Sequence, residues 1–249
     1  MRRAPDAILL CGGAGLRLRS VIGNAPKGMA RVAGRPFLEL LLYQLLRHGF
    51  ERVILAVGYQ NEMIHSHFGV RTFGLDLVYS IEASPLGTGG ALRNAADLVD
   101  SESVLIMNGD SHTDADLNKL VASHHEAKAD ASVVVVPADG RADCGSVRVD
   151  ECGRLARFDE KQGSAEASYV NAGIYLLSRN MLYDIPSGIS VSLEQELFPR
   201  WLAERKDIRA FVHQGKCVDI GTPERYHGAQ TLLADVETDV NAAVEVHER

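Results

Sequence analysis

Apolar residues fall along this chain in two alternating textures. Unbroken apolar runs at Ala7 to Leu10, Val53 to Val57, Leu77 to Ser80, Val104 to Met107 and Val133 to Val136 read as buried strands. Between them lie segments with apolar residues at helical spacing. Phe37 to His48 carries Leu38, Leu41, Leu42 and Leu45 on one face and stops at Gly49, and Ala91 to Val99 and Leu117 to Ala127 are patterned alike. This alternation predicts an α/β fold, a Rossmann-like, mixed but mostly parallel sheet with helices on both faces. Ligands bind such sheets beyond the carboxyl ends of the strands. Three segments follow strand candidates and should meet there: the loop from Cys11 to Leu18, Gly87-Thr88-Gly89-Gly90, and Asn108-Gly109-Asp110.

After about residue 137 the texture changes. Short alternating runs, Gly145 to Val149 and Leu155 to Phe158, flank the turn Glu151-Cys152-Gly153 and predict a small β-hairpin region laid over the first half. Ser192-Leu193-Glu194-Gln195 has capping-box spacing, with Ser192 starting a helix and Gln195 completing the box. Thr222-Pro223-Glu224 marks another helix start, with Thr222 as N-cap and Pro223 at the first helical position. Beyond Ala234 the chain is acidic and poor in large apolar residues, so it is expected to fray. No repeat or linker interrupts the rest. The expectation is a single domain over residues 1–235, divided near 136, with an acidic tail over 236–249.

With 46% hydrophobic and 24% charged residues, the 249-residue chain has the composition of a soluble globular protein. Its net charge of −7 disfavours a broad basic face for nucleic acid. A phosphate ligand would then need cations gathered locally, or a metal. No apolar run approaches the roughly 20 residues of a membrane span. The basic start Met1-Arg2-Arg3 leads into a strand rather than a signal peptide. The four cysteines, Cys11, Cys144, Cys152 and Cys217, form no C-x-x-C pair and suit reduced thiols in a cytoplasm. Cys11 reads as a small strand-end residue. The nine histidines lack metal-ligand spacing, and His124-His125 is expected on an exposed helix face.

The loop Cys11-Gly12-Gly13-Ala14-Gly15-Leu16-Arg17-Leu18 carries the most chemistry. A glycine-rich turn after a buried strand lets backbone N–H groups approach an anion. Arg17 adds a planar, permanently charged fork suited to phosphate, and Lys27 adds a second cation. A dinucleotide fingerprint would need a third glycine at position 18, which is Leu18, and a P-loop would need one at position 17, which is Arg17. Both patterns fail, which leaves a nucleoside triphosphate loop of another kind or a glycine-rich turn that binds nothing.

Two carboxylates stand at comparable places. Asp110 closes an apolar strand after Gly109, and Asp219 sits in Val218-Asp219-Ile220-Gly221-Thr222-Pro223 before a helix. Each is either a turn residue capping the next helix or a ligand of Mg²⁺, which favours oxygen donors and substrate phosphates. Glu160-Lys161 reads alone as a solvated pair, and Asn171 alone as a turn residue.

In chain order, Gly12-Gly13-Ala14-Gly15-Leu16-Arg17-Leu18, Pro26-Lys27-Gly28-Met29, Pro85-Leu86-Gly87-Thr88-Gly89-Gly90-Ala91, Asn108-Gly109-Asp110, Glu160-Lys161, Asn171-Ala172-Gly173-Ile174-Tyr175 and Asp219-Ile220-Gly221-Thr222-Pro223-Glu224 resemble the motifs of the sugar-1-phosphate nucleotidyltransferases. The resemblance runs from about residue 5 to residue 233. Within it the chain looks most like the branch that guanylylates D-glycero-α-D-manno-heptose 1-phosphate. One departure is Gly28, where the family usually has proline, and a more mobile loop around Lys27 is expected from it.

The resemblance implies attack of a sugar 1-phosphate oxygen on the α-phosphorus of a nucleoside triphosphate, in a nucleotide-binding part over about 1–136 and a sugar-binding part over about 137–235. Arg17 would hold the departing pyrophosphate, and Lys27 would bridge the two substrates. Asp110 and Asp219 would hold Mg²⁺. Gly12, Gly13, Gly15, Gly87 and Thr88 would cradle the nucleotide. Gly109, Glu160, Lys161 and Asn171 would bind the sugar phosphate. Glu82 precedes the second glycine loop, where the family places a base-reading side chain. A carboxylate only accepts hydrogen bonds; guanine offers it two adjacent donors, whereas uracil and thymine offer one donor between acceptors. The expectation is therefore GTP as the nucleotide, small-molecule substrates as the only partners, and a homodimer by base rate. A uridylyltransferase for a muramate- or glucose-type sugar and a non-catalytic nucleotide-sugar-binding regulatory subunit are the alternatives.

Overall fold

The computed structural model describes residues 4–138, 145–159, 168–236 and 238–240. Its elements begin with β1 (Asp6–Leu10), α1 (Phe37–Arg47), β2 (Arg52–Val57), α2 (Asn61–Phe68), β3 (Arg71–Thr72), β4 (Leu75–Ile81), α3 (Gly87–Ala95) and β5 (Ser103–Asn108). The predicted apolar runs lie within these strands. Parallel pairing joins β5, β1, β2 and β4 in that order. The chain steps outward from β1 through β2 to β4, then returns to place β5 on the other side of β1. The strand order reverses there, and the segments leaving β1 and β5 open a crevice between them.

The strands of this core are apolar on both faces because both are covered. Ala7 and Leu9 of β1 pack in one layer with Leu38 and Leu41 of α1 and Phe68 of α2, while Ile8 packs in the opposite layer with Leu92 of α3. Helix α1 ends as its sequence suggests. Gly49, at φ +77°, donates to the Leu46 carbonyl and Phe50 to the Leu45 carbonyl, which satisfies the last turn.

The chain continues through β6 (Ser111–Thr113), α4 (Leu117–Ala127), β7 (Ala131–Pro137), β8 (Ser146–Val149), β9 (Leu155–Asp159), β10 (Tyr169–Ser178), α5 (Arg179–Tyr183), α6 (Phe198–Ala203), β11 (Ile208–Val212), β12 (Cys217–Asp219) and α7 (Pro223–Leu232). The β8–β9 hairpin does not lie over the first half. It extends the sheet, because β8 pairs with β10, which in turn pairs antiparallel with β5. Its Phe158 ring stacks on Phe198 at 5.0 Å, and Phe198 meets Trp201 edge-on at 5.6 Å. Burying these aromatic faces holds the hairpin edge to α6.

Three local expectations change. Ser192 does cap a helical turn over Leu193–Leu197, accepting from the Gln195 N–H. The reciprocal bond to the Ser192 N–H comes from Glu196, not Gln195, because the turn is π-wound and shifts the returning side chain by one position. His124 is 3% exposed and bonded to Ser132 Oγ at 2.9 Å; only His125 faces solvent. Val240 is buried in the same core as Leu233, so the residues just past Ala234 pack rather than fray. Thr222 and Pro223 start α7 as read.

Burial lowers His112 and His124 from 6.5 to about 4. Both are neutral in the fold and take up protons on unfolding. Their contribution is therefore complete above pH 6.5 and lost as pH falls from 6.5 towards 4. The expected outcome is a urea midpoint that drops across this window, with a shallower drop in His124→Gln; an unchanged slope in the variant would contradict it.

Candidate active site

The loop after β1 is shaped by neighbours as much as by its own glycines. Cys11 donates its N–H to the Ala56 carbonyl, and burial pushes its thiol up to about 12, so it is an inert strand-end residue. A β-carbon at Gly12 would lie 2.5 Å from Glu82 Oε1, and one at Gly58 would lie 2.6 Å from the same atom. These glycines make room for the Glu82 side chain. Gly15 takes φ +58°, with its β-carbon position 3.2 Å from Lys27 Cβ. Leu18, buried at the end of the following turn, anchors the segment that carries Arg17.

The turn after β5 lies directly against β1. Gly109 donates to the Leu10 carbonyl at 2.9 Å, and a β-carbon there would sit 2.6 Å from that oxygen, so glycine is required. Asp110 follows. Strand β12 pairs antiparallel with β6, aligning Asp219 with Ser111, and the Ile220 N–H donates to the Asp110 carbonyl at 3.0 Å. Two carboxylates distant in sequence are thereby brought to the same end of one two-stranded ladder.

Cations complete the cluster. Lys27 pairs with Asp110. Arg225 of α7 holds both Asp219 oxygens at 2.8 and 2.9 Å, and Asp219 Oδ1 also accepts the Gly221 N–H at 2.9 Å. A β-carbon at Gly221 would lie 2.9 Å from Asp219 Oδ1, 3.6 Å from Lys27 Nζ and 3.9 Å from an Arg17 terminal nitrogen. Arg17, Lys27 and Asp219 therefore surround one small volume, with Asp110 bound to Lys27. Asp110 and Asp219 present only oxygen donors, which fits a hard divalent cation completed by substrate phosphates. Among the described residues, no group of three or more His, Cys, Asp or Glu stands ready to hold a metal alone.

A cavity of about 690 Å³ opens from this cluster, lined by Gly12, Gly13, Lys27, Glu82, Gly87 and Thr88, with Asn108, Gly109 and Asp110 also on its wall. Burial raises the Glu82 carboxyl above its usual range, and the carboxylate accepts the Leu86 N–H at 3.2 Å. Tyr59 and Gly58 line the same cavity.

Other expected site residues sit differently. The N–H groups of Gly89 and Gly90 donate to the Val191 carbonyl, and β-carbons at Gly87, Gly89 and Gly90 would collide with the 189–197 segment. Close packing of that segment accounts for these glycines, while Gly87 and Thr88 still reach the cavity. Asn171 does not line it. Its Oδ1 accepts the Gly173 N–H and its Nδ2 donates to the Tyr175 hydroxyl, within a register shift of β10. Glu160 and Lys161 lie outside the described residues. Gly28 is buried, yet a β-carbon there would meet Leu38 at an ordinary 3.5 Å, so packing does not demand a glycine. Arg225 and Gly58 were not legible in the sequence: each acts on a carboxylate that reaches it only through the tertiary fold.

The structure thus has a glycine-lined cavity at the reversal point of a parallel sheet, with Lys27 and Asp110 on its wall and Arg17 and Asp219 close to Lys27. The model of the family described as "Nucleotidyl transferase" matches residues 6–236. The chain is 36% identical over 228 residues to a D-glycero-alpha-D-manno-heptose 1-phosphate guanylyltransferase from Aneurinibacillus thermoaerophilus, covering 92% of this chain and 98% of that one. It is 37% identical over 234 residues to a mannose-1-phosphate guanylyltransferase from Mycobacterium tuberculosis, of which it spans 65%. HddC from Yersinia pseudotuberculosis, in a crystal structure complexed with GMP-PN, matches with TM-score 0.81 at 31% identity, over 92% of this chain and all of that one. The chain belongs to the nucleotidyl transferase family.

Gly221→Ala tests the convergence. The added methyl group must displace Asp219, and turnover should fall at least tenfold, about the scale of a small misplacement at a reacting centre, with little change in melting temperature. Wild-type kinetics in this variant would contradict the geometry.

Proposed function

We propose that this chain transfers a guanylyl group from GTP to D-glycero-α-D-manno-heptose 1-phosphate. The products are GDP-heptose and pyrophosphate, within cytoplasmic synthesis of bacterial surface polysaccharide. The observation that carries the reading is the meeting of Arg17, Lys27 and Asp219 around Gly221, beside Asp110, with Lys27 and Asp110 lining the cavity. Similarity to a heptose 1-phosphate guanylyltransferase over 98% of that protein's length supports the choice of substrates.

A sugar 1-phosphate oxygen attacks the α-phosphorus and forms the new P–O bond. The bond from the α-phosphorus to the bridging oxygen breaks, and its electron pair leaves on pyrophosphate. The nucleophile is already an anion, so no general base is required and the work is positioning and charge neutralisation. Arg17 holds the departing pyrophosphate. Lys27, between Asp110 and the glycine loop, draws the two substrates together. Asp110 and Asp219 would hold Mg²⁺, which when bound offsets charge on the reacting phosphates. By the family resemblance, Lys161 and Glu160 would bind the sugar phosphate together with Gly109. The Asn171 amide is engaged within β10 and takes no part in this step.

Glu82 reads the base. Its carboxylate lies at the glycine loop with oxygen lone pairs for the two adjacent donors of guanine. That pairing contributes about 1–3 kcal/mol of discrimination by analogy with base-edge readout. Burial raises the Glu82 carboxyl; ionised Glu82 is the binding form, so the KM for GTP should rise as pH falls into the acid range.

The test is pyrophosphate release with Mg²⁺, crossing GTP, UTP, ATP, CTP and dTTP with heptose, mannose and glucose 1-phosphates. Dominant GTP–heptose turnover is expected, with the preference for GTP eroded in Glu82→Gln. Asp110→Ala should lower kcat by roughly 10²–10³-fold, the scale of a lost electrostatic contact. Dominant turnover with UTP would overturn the base assignment in favour of a uridylyltransferase, and silence across the panel would favour a regulatory subunit.

A further inference from the structure

One carboxylate behind the cavity wall takes no part in the mechanism above. Glu194 is 8% exposed, and among the described residues its side-chain hydrogen bonds are with the hydroxyl groups of Thr88, Tyr175 and Ser192. Thr88 Oγ1 donates to its Oε2 at 2.6 Å, Ser192 Oγ donates to the same oxygen at 3.1 Å, and the Tyr175 hydroxyl donates to its Oε1 at 3.0 Å. A carboxylate only accepts, so all three hydroxyl hydrogens must point inward. The consequence spreads on both sides. Tyr175, with its hydrogen committed, accepts from Asn171 Nδ2 at 2.7 Å, which fixes the direction of that amide. Thr88 Oγ1 accepts the Leu193 N–H at 2.8 Å.

A hydroxyl has one hydrogen and two lone pairs. Glu194 takes the hydrogen of Thr88 and Leu193 takes one lone pair, which leaves one lone pair for the cavity that Thr88 lines. We infer that Glu194 is a positioning residue that fixes Thr88 as an obligate acceptor, so that this wall selects a hydrogen-bond donor on the ligand. The donor belongs either to the ribose of the nucleotide or to the sugar 1-phosphate. The inference rests on the nucleotidyl-transfer reading of the cavity.

The experiment measures KM and kcat for GTP, 2′-deoxy-GTP and the sugar 1-phosphate in wild type, Glu194→Gln, Thr88→Val, Thr88→Ser and the Glu194→Gln/Thr88→Val double variant. An amide at 194 can no longer take every hydrogen. Glu194→Gln and Thr88→Val should each raise one substrate's KM roughly 5–10-fold, the scale of one hydrogen bond, with kcat little changed. Thr88→Ser, which keeps the hydroxyl, should retain the wild-type KM. The double variant should be no worse than Thr88→Val, because Glu194 acts through Thr88. A rise for GTP that 2′-deoxy-GTP does not share assigns the donor to the ribose 2′-hydroxyl; a rise for the sugar phosphate alone assigns it to the sugar. Multiplying losses in the double variant, or a lower kcat and melting temperature at unchanged KM, would overturn the inference. If Glu194→Gln does not fold, the Thr88 pair decides: valine must raise KM and serine must not. Absence of any GTP-dependent turnover by the wild type overturns the proposed function and this inference together, whereas turnover with additive losses overturns this inference alone.

Discussion

The site depends on one short backbone ladder. Strand β12 lies antiparallel to β6, which places Asp219 beside Ser111 and lets the Ile220 N–H reach the Asp110 carbonyl. Neither carboxylate alone distinguishes a ligand from a turn residue. Side by side they form a concentration of negative charge that Lys27 and Arg225 balance in the free protein. An acidic protein can bind a highly charged anion only where cations are gathered, and this ladder is what gathers them.

The parallel core sets where the ladder can form. Because β1 and β5 stay paired to their last residues at the reversal of strand order, the Gly109 turn is pressed against Leu10, with Asp110 following it. The glycines around the cavity answer to different constraints. Gly12 and Gly58 clear space for Glu82, Gly109 allows two backbones to touch, Gly89 and Gly90 admit the 189–191 segment, and Gly221 leaves open the volume between Asp219, Lys27 and Arg17. A motif that reads as a run of flexible residues is, in space, a set of separate steric allowances.

Much of this was legible in the sequence for a physical reason. Strands buried on both faces must be continuously apolar, so Val53 to Val57 and Val104 to Met107 declared themselves, as did α1 with its leucine stripe and Gly49 stop. Asp110 and Asp219 could be located at strand ends, but their own sequence left turn residue and ligand open, and only the resemblance chose between them. Features that depend on how a turn or bulge brings two side chains together were hidden. Arg225 looks like any helix-surface arginine until Asp219 faces it. His124 looks exposed until Ser132 covers it. Asn171, a turn residue by its own sequence and a sugar contact by resemblance, has both ends of its amide taken by Gly173 and Tyr175. The π-wound turn shifted the capping partner from Gln195 to Glu196, a change of one residue that spacing rules do not register.

The account's central claim is that the cavity's two ends read the two ends of one nucleotide, Glu82 the base and the Arg17–Lys27–Asp219 cluster the triphosphate. The most direct test is a crystal structure of the protein with a non-hydrolysable GTP analogue and Mg²⁺. The account predicts the guanine edge on the Glu82 carboxylate and the phosphates between Arg17 and Lys27, with the cation on Asp110 and Asp219. A base turned away from Glu82, or phosphates bound elsewhere, would contradict it.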